Sequence, residues 1–286
     1  MPKSLYVDPV ATRAPGKIHF EDIPVCAYNK TIAEERANFS DADLVRIYRD
    51  ITILREFENM LNLIKTQASY NGIDTTYPGP AHLSLGQEAS CVGEAYLLDK
   101  DDYIFGSHRS HSEILAKSLS CIEKMSDEEL MNVMENFLGG KTLRAVEKFG
   151  KCDNVKELAI RFVLYGTLAE IFAREAGFHH GMGGSMHAFF LPFGVYPNNA
   201  IVGGSGTIAA GAALYKKVNK KKGIVVCNIG DASLGCGPVW EAFNFAAMDQ
   251  LKTLWEEGMK GGLPVIFNVF NNSYGMGGQT RGETMA

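Results

Sequence analysis

Residues 223–278 read GIVVCNIGDASLGCGPVWEAFNFAAMDQLKTLWEEGMKGGLPVIFNVFNNSYGMGG and constrain the fold more than any other part of the chain. Residues 224–229 form an apolar, β-branched run, and residues 265–270 form another. Such runs suit strands buried on both faces of a parallel sheet. Between them Val239, Ala242, Phe243, Ala246 and Ala247 recur at spacings of three and four, which gives residues 239–248 one apolar helical face. Strand, crossover helix and strand predict a parallel pair, and with it an α/β fold.

Each of these strands ends in polar, glycine-bearing sequence: Gly230-Asp231-Ala232-Ser233 after the first, Asn271-Asn272-Ser273-Tyr274-Gly275 after the second. In a parallel sheet, ligands bind outside the carboxyl ends of the strands, so neighbouring strands would let Asp231 and Asn272 converge. A hard cation such as Mg²⁺ takes a few protein oxygens and fills its other positions with phosphate and water. One carboxylate, one amide oxygen and one backbone carbonyl meet that demand. The amides of Ala232 and Ser233, close to the start of the next helix, would face an anionic group. Taken alone, Gly-Asp reads as a loop turn; with two strands, the intervening helix and the Asn-Asn element it reads as the site.

Gly-Asp followed by EAFN and then NNSYGMG resembles the thiamine diphosphate motif of the alpha subunits of 2-oxo acid dehydrogenases and acetoin dehydrogenases. The resemblance implies a three-layer αβα parallel sheet of the transketolase-like, diphosphate-binding type, with its C-terminal part missing here. It implies Asp231 and Asn272 as Mg²⁺ ligands together with the Tyr274 carbonyl, and Gly230, Ala232 and Ser233 as contacts to the diphosphate. The family usually has Gly at the place of Ala232 and a shorter interval between the Asp and the Asn. The surplus falls in residues 251–262, which read as a surface insertion.

Further along the same resemblance, HLSLGQEA implies His82 near the diphosphate, although a lone histidine is more often structural. Ser107-His108-Arg109-Ser110-His111 sets three cationic or potentially cationic side chains in five positions. Such a cluster suits a phosphate, onto which Arg109 can fork two hydrogen bonds, and it also reads as a salt-bridged surface loop. The resemblance makes His108 and Arg109 cofactor contacts and His111 a candidate catalytic residue, and His108 in place of Tyr hints at the acetoin-type branch. GGSMH implies that His187 lines the channel to the reactive carbon as proton donor or substrate partner. Ala200 and Val202 would offer main-chain contacts to the aminopyrimidine ring. His179 and His180 precede GGSMH with no nearby Cys or carboxylate, which argues against zinc.

Elsewhere the chain is quieter. Pro2, Pro9, Pro15 and Pro24 mark residues 1–40 as an extended arm over the body or a partner, and 41–286 as the cofactor-binding domain, with a further insertion near 112–165. Ser40-Asp41-Ala42-Asp43 reads as a helix start, and Leu44, Ile47, Ile51, Leu54, Phe57, Leu61 and Ile64 follow at helical spacing. Residues 168–177 read as a helix closed by Gly177, residues 89–98 and 207–214 as small-residue helices, and 125–137 as a one-sided helix ended by Gly139-Gly140. A net charge of −5 over 286 residues argues against sequence-independent nucleic acid binding, and the Lys216-Lys217 and Lys220-Lys221-Lys222 clusters read as a solvated turn. Six cysteines without CxxC spacing read as reduced core thiols. No apolar run approaches the roughly 20 residues of a spanning helix, so the expected setting is cytoplasmic with no membrane partner.

The activity implied is cleavage of a small-molecule substrate, a 2-oxo acid or acetoin, with transfer of the acyl unit to a lipoyl-bearing acyltransferase. Nothing in the chain resembles the pyrimidine-binding domain of the family, so a beta-type subunit or segment is the expected partner. A transketolase-like N-terminal half and a non-catalytic assembly or regulatory subunit remain the alternatives.

Overall fold

A computed structural model describes residues 8–17, 19–22, 28–197 and 200–281. Pro2, Pro24, Cys26, the residue before Ala200, and the end of the chain from Gly282 on lie outside the described residues. In chain order, the short turn α1 (Ile32–Glu35) precedes the long helix α2 (Asp41–Gln67), a hairpin of β1 (Ser69–Tyr70) and β2 (Ile73–Asp74), helix α3 (Glu88–Ala95) and strand β3 (Tyr103–Phe105). Four helices follow: α4 (His111–Lys124), α5 (Asp127–Asn136), α6 (Lys141–Glu147) and α7 (Val155–Ile171). Then come β4 (Val195–Tyr196), α8 (Gly204–Val218), β5 (Val225–Gly230), α9 (Gly237–Ala247), the turn α10 (Asp249–Lys252) and β6 (Val265–Phe270).

Strands β4, β3, β5 and β6 lie side by side in that order, every pair parallel. Side chains alternate along β5, so the sheet acquires two apolar faces. Val225, Cys227 and Ile229 join Phe105 against Ala209, Ala213 and Val239 of α8 and α9. Ile104 and Val226 point the other way, to Ile114 on α4 and Phe162 on α7. Outside that layer α2 lays Leu54, Phe57 and Leu61 over Cys91, Val92, Leu115 and Leu119 of α3 and α4. The architecture is thus three layers, αβα. Gly and Ala dominate α8 because its neighbour is close: a Cβ built on Gly206 would meet the Ala242 Cβ at 3.3 Å.

Helix α2 begins where the sequence puts it. Ser40 accepts from the Asp43 amide and Asp43 answers at the Ser40 amide, closing a capping box. Replacing Ser40 with alanine is expected to cost about 1 kcal/mol in urea unfolding, with no change in the slope of the transition.

Several expectations change. β6 is not buried on both faces, since Ile266 is 52% and Val269 36% exposed at the sheet edge. Helix α7 ends at Ile171, six residues short of Gly177. Ala173 takes the left-handed conformation (φ 53°) while the Arg174 amide reaches back to Ala169 O and the Ala173 amide to Glu170 O, the Schellman pattern. Within 112–165, read as an insertion, α4 lies in the core, with twelve consecutive residues from His111 to Ile122 buried. Within 251–262, Leu251 and Trp255 anchor the segment in the core under α8 and α9. Lys216 belongs to no solvated turn: it is buried, donates to Asp101 O and Lys222 O, and sits 3.5 Å above the Tyr103 ring. Cys91, Cys121, Cys152, Cys227 and Cys236 are free thiols. The described part of the N-terminal arm is almost wholly exposed.

Candidate functional site

The pairing of β5 with β6 runs in register from Val225 with Val265 to Gly230 with Phe270. Asp231 therefore stands one residue beyond the last pair on β5, and Asn272 two residues beyond it on β6. The loop after β6 folds back over that end. A Cβ built on Gly275 would meet the Ala232 Cβ at 3.0 Å, and the Thr280 hydroxyl donates to Asp231 Oδ2 at 2.7 Å. Asp231 and Ser233 are buried, whereas Asn272 and Tyr274 are exposed, with the Tyr274 amide donating to Asn272 Oδ1 at 2.9 Å. Asp231–Gly235 form a 3-10 turn, and its leading amides have no partner within the turn.

Beside it lies a small enclosed cleft lined by Ser107, His108, Val202, Gly230 and Ser233. Four of the residues singled out from sequence thus face one space, although they come from three separate stretches of chain. That space measures 10 Å³, about the room of one water, so an anion enters only with a shift of the 107–108 turn or of 201–203. Ala200 and Val202 are exposed, and of the two only Val202 lines the cleft.

His82 and His108 meet edge to face with ring centres 5.9 Å apart. Burial holds both imidazoles below their ordinary range; His111 and Arg109 add to this at His82, and His82 and Arg109 at His108. Two neutral rings thus flank the turn. Arg109 Nε donates to Leu83 O at 2.7 Å and so ties the turn to the His82 loop. His111 is fully buried rather than open to a ligand. Its Nδ1 faces Glu58 Oε1 at 3.0 Å and its Nε2 faces Ser185 Oγ at 2.8 Å. A carboxylate oxygen accepts, so Nδ1 donates, and Nε2 shares a hydrogen bond with the Ser185 hydroxyl, which also accepts from the His82 amide at 3.1 Å. Glu58 also accepts from the Ser84 amide at 2.9 Å. Glu58 and Ser185 thereby join the HLS, SHRSH and GGSMH segments into one buried network.

His187 is exposed at the wall of a separate 600 Å³ cleft shared with Tyr77, Arg174 and Met186. The loop that carries it is shaped by Glu170, a fully buried residue that the sequence reading missed. Its carboxylate accepts from the amides of His179 at 2.7 Å, Gly181 at 3.0 Å and Gly183 at 2.5 Å. His179 itself stacks on Phe189, and His180 is exposed with φ 56°. Glu170→Gln puts an amide NH₂ where one acceptor stood; the expected cost is roughly 1–2 kcal/mol, read by thermal unfolding.

Residues 57–151 and 156–286 match the sequence profile of the family described as dehydrogenase E1 component. The chain belongs to that family. Only 152–155 separate the two matched stretches. The alpha subunit of acetoin:2,6-dichlorophenolindophenol oxidoreductase from Bacillus subtilis is 29% identical over 246 residues, covering 86% of this chain and 55% of that protein. The pyruvate dehydrogenase E1 component subunit alpha of Rhizobium meliloti is 27% identical over 241 residues, covering 84% of this chain and 51% of the relative. The mitochondrial counterpart from Saccharomyces cerevisiae is 29% identical over 238 residues, at 83% and 41%. This E1-type chain thus spans about half the length of the curated relatives it matches.

Among the described residues no group of three or more His, Cys, Asp or Glu is placed to hold a metal, and no helix is long and apolar enough to cross a membrane. A cation that takes most of its shell from phosphate and water asks for less, and Asp231 with Asn272 at adjacent strand ends meets that lesser demand. One carboxylate and one amide oxygen on neighbouring strand ends are the kind of donors a magnesium-bound diphosphate takes, although Asn272 lines a separate groove along β6 and not the cleft that holds Gly230 and Ser233.

Proposed function

We propose that this chain is the cofactor-binding alpha part of a thiamine-diphosphate- and Mg²⁺-dependent dehydrogenase component acting on a 2-oxo acid or acetoin. The observation that carries the reading is the β5–β6 register, because it sets the Asp231 and Asn272 loops at one end of the sheet. Asp231, Asn272 and the Tyr274 carbonyl would hold the cation. Gly230, Ala232 and Ser233 would receive the diphosphate, with His82, His108 and Arg109 opposite, and Ala200 and Val202 would meet the ring system. When bound, thiamine diphosphate supplies the carbanion chemistry. His187, exposed beside its cleft, would hold or give a proton to a substrate oxygen, while His111 would act from behind by fixing Ser185 and the loop around it. The acyl unit would pass to a lipoyl-bearing acyltransferase, and a beta-type partner would complete the site.

Titration calorimetry of the purified chain, alone and with a beta-type partner, tests this reading: saturable heat with thiamine diphosphate that requires Mg²⁺ supports it. The chain alone with both is expected to turn over no 2-oxo acid, and robust turnover would overturn the requirement for a partner. A non-catalytic subunit of the same fold is the second reading, favoured by the Thr280 hydroxyl, which donates to one oxygen of the carboxylate that would meet the metal. Absence of cofactor heat with and without the partner selects it.

A further inference from the structure

Beneath the two halves of the candidate site lies a cluster of four polar side chains from four elements. Asn228 on β5 donates one amide hydrogen to Glu94 Oε1 on α3 and the other to Glu113 Oε2 on α4, each at 3.0 Å. Asn268 on β6 donates to Glu94 Oε2 at 2.8 Å and to Asn228 Oδ1 at 3.1 Å. Glu113 also accepts from the Ser107 amide at 3.0 Å and the Ser107 hydroxyl at 2.6 Å. Asn228 is 1% and Glu113 2% exposed.

Such a cluster is expensive. Its hydrogen-bond donors are neutral amides and one hydroxyl, and burial pushes both carboxyl groups up from their ordinary range. Burying carboxyl groups among neutral donors costs free energy that apolar side chains in the same place would not. Its geometry supplies a different reason for it. Ser107 opens the turn that carries His108 and Arg109, and Asn228 stands two residues before Gly230, the last residue of the strand that leads to Asp231. The turn is packed hard onto this unit: a Cβ on Gly106 would meet Ser110 Cβ at 2.8 Å and Glu113 Oε2 at 2.9 Å. Ser205 Oγ, at the start of α8, closes the other side by donating to Gly106 O at 2.8 Å.

We propose that Glu113 and Asn228 are positioning residues that lock the His108–Arg109 turn in register with the Gly230–Ser233 strand end, with Glu94 and Asn268 holding Asn228 in place. The inference rests on the cofactor reading above for its purpose, and on these hydrogen bonds for its geometry. Neither residue touches the ligand; both set the spacing between the two sides of the cleft.

The test compares the parent chain with Glu113→Leu, Glu113→Gln and Ser107→Ala by deuterium exchange and by calorimetry with thiamine diphosphate and Mg²⁺. In Glu113→Leu, exchange over residues 106–110 is expected to quicken by about tenfold or more while β5 stays protected. Cofactor affinity falls by a similar factor, about tenfold. Glu113→Gln keeps an acceptor for Ser107 and restores both to within about threefold of the parent. Should Glu113→Leu fail to fold, Ser107→Ala removes only the hydroxyl link and still loosens the turn. Parent-like exchange and affinity in Glu113→Leu, or in Ser107→Ala where the former does not fold, overturn the proposal. So does exchange that quickens equally along β5, which marks a merely structural role. A parent that binds no cofactor, combined with a turn that loosens only in the variants, removes the cofactor reading and leaves the positioning geometry standing.

Discussion

Asp231→Ala is expected to weaken Mg²⁺-dependent binding of thiamine diphosphate by at least about 100-fold, which is ~2.7 kcal/mol. Asp231 contributes the carboxylate of the candidate cation set, and a hard cation loses its anionic protein ligand with it. The fold should survive the change. Asp231 is buried, but its carboxylate receives the Thr280 hydroxyl rather than a charged partner, so the deletion releases one hydrogen bond worth about 1 kcal/mol. Thr280→Val separates the two effects, because it removes the competing donor and leaves the carboxylate for the metal. Cofactor affinity of Thr280→Val at or above that of the parent, beside the loss in Asp231→Ala, identifies Asp231 as the ligand and Thr280 as an occupant that yields. Unchanged calorimetric affinity in Asp231→Ala would falsify the metal assignment.

The β5–α9–β6 unit was legible because three local signals agree there: two β-branched runs, a helix with apolar spacing between them, and polar strand ends, Gly230-Asp231 after the first and Asn271-Asn272 after the second. That β6 stands at the edge of the sheet among the described residues was not legible. Residues 265–270 have the composition of an interior strand, yet Ile266 and Val269 are exposed there. The loops of the site carried readable glycine and histidine signals, whereas the groups that shape those loops did not. Glu58, Glu113 and Glu170 lie inside helices, where an acid ordinarily marks the wet side. A signal was nonetheless present. Glu58 follows Leu54 by four residues and precedes Leu61 by three, which puts a charge on the apolar stripe of α2, and Glu170 interrupts an apolar run in α7. An acid on a core-facing position implies buried donors, here the Ser84 amide with His111 and the three amides of the 179–183 loop. His111 was readable as a special residue but not as an enclosed one, since its burial depends on α2 and on Ser185, both distant in sequence.

Glu94→Gln is expected to raise stability in alkaline solution and leave it nearly unchanged in acid. Burial pushes the Glu94 carboxyl up to about 8, the Glu113 carboxyl adds to that, and the amides of Asn228 and Asn268 oppose it. The sign follows from linkage. A carboxyl whose folded value lies above its unfolded one stabilises the fold fully below the unfolded value, and that contribution is lost as the pH rises through the folded value. The window therefore runs from the ordinary glutamate range near 4.5 to about 8. Glutamine imitates the protonated acid, so the variant should match the parent near the acid end. Both must turn one amide of the Asn228–Asn268 pair to accept from the new donor, and that cost cancels in the comparison. Above the window the parent carries a charge in a half-buried site beside Glu113, whereas the variant does not. The full linkage value is discounted because Glu94 borders an open 790 Å³ groove along β6; a gain of about 2–3 kcal/mol in the alkaline range remains. Chemical unfolding of both proteins at intervals across the window checks the slope. Parallel pH profiles for parent and variant would mean that Glu94 ionises freely in the folded chain, and the cluster beneath the candidate site would then be an ordinary solvated one.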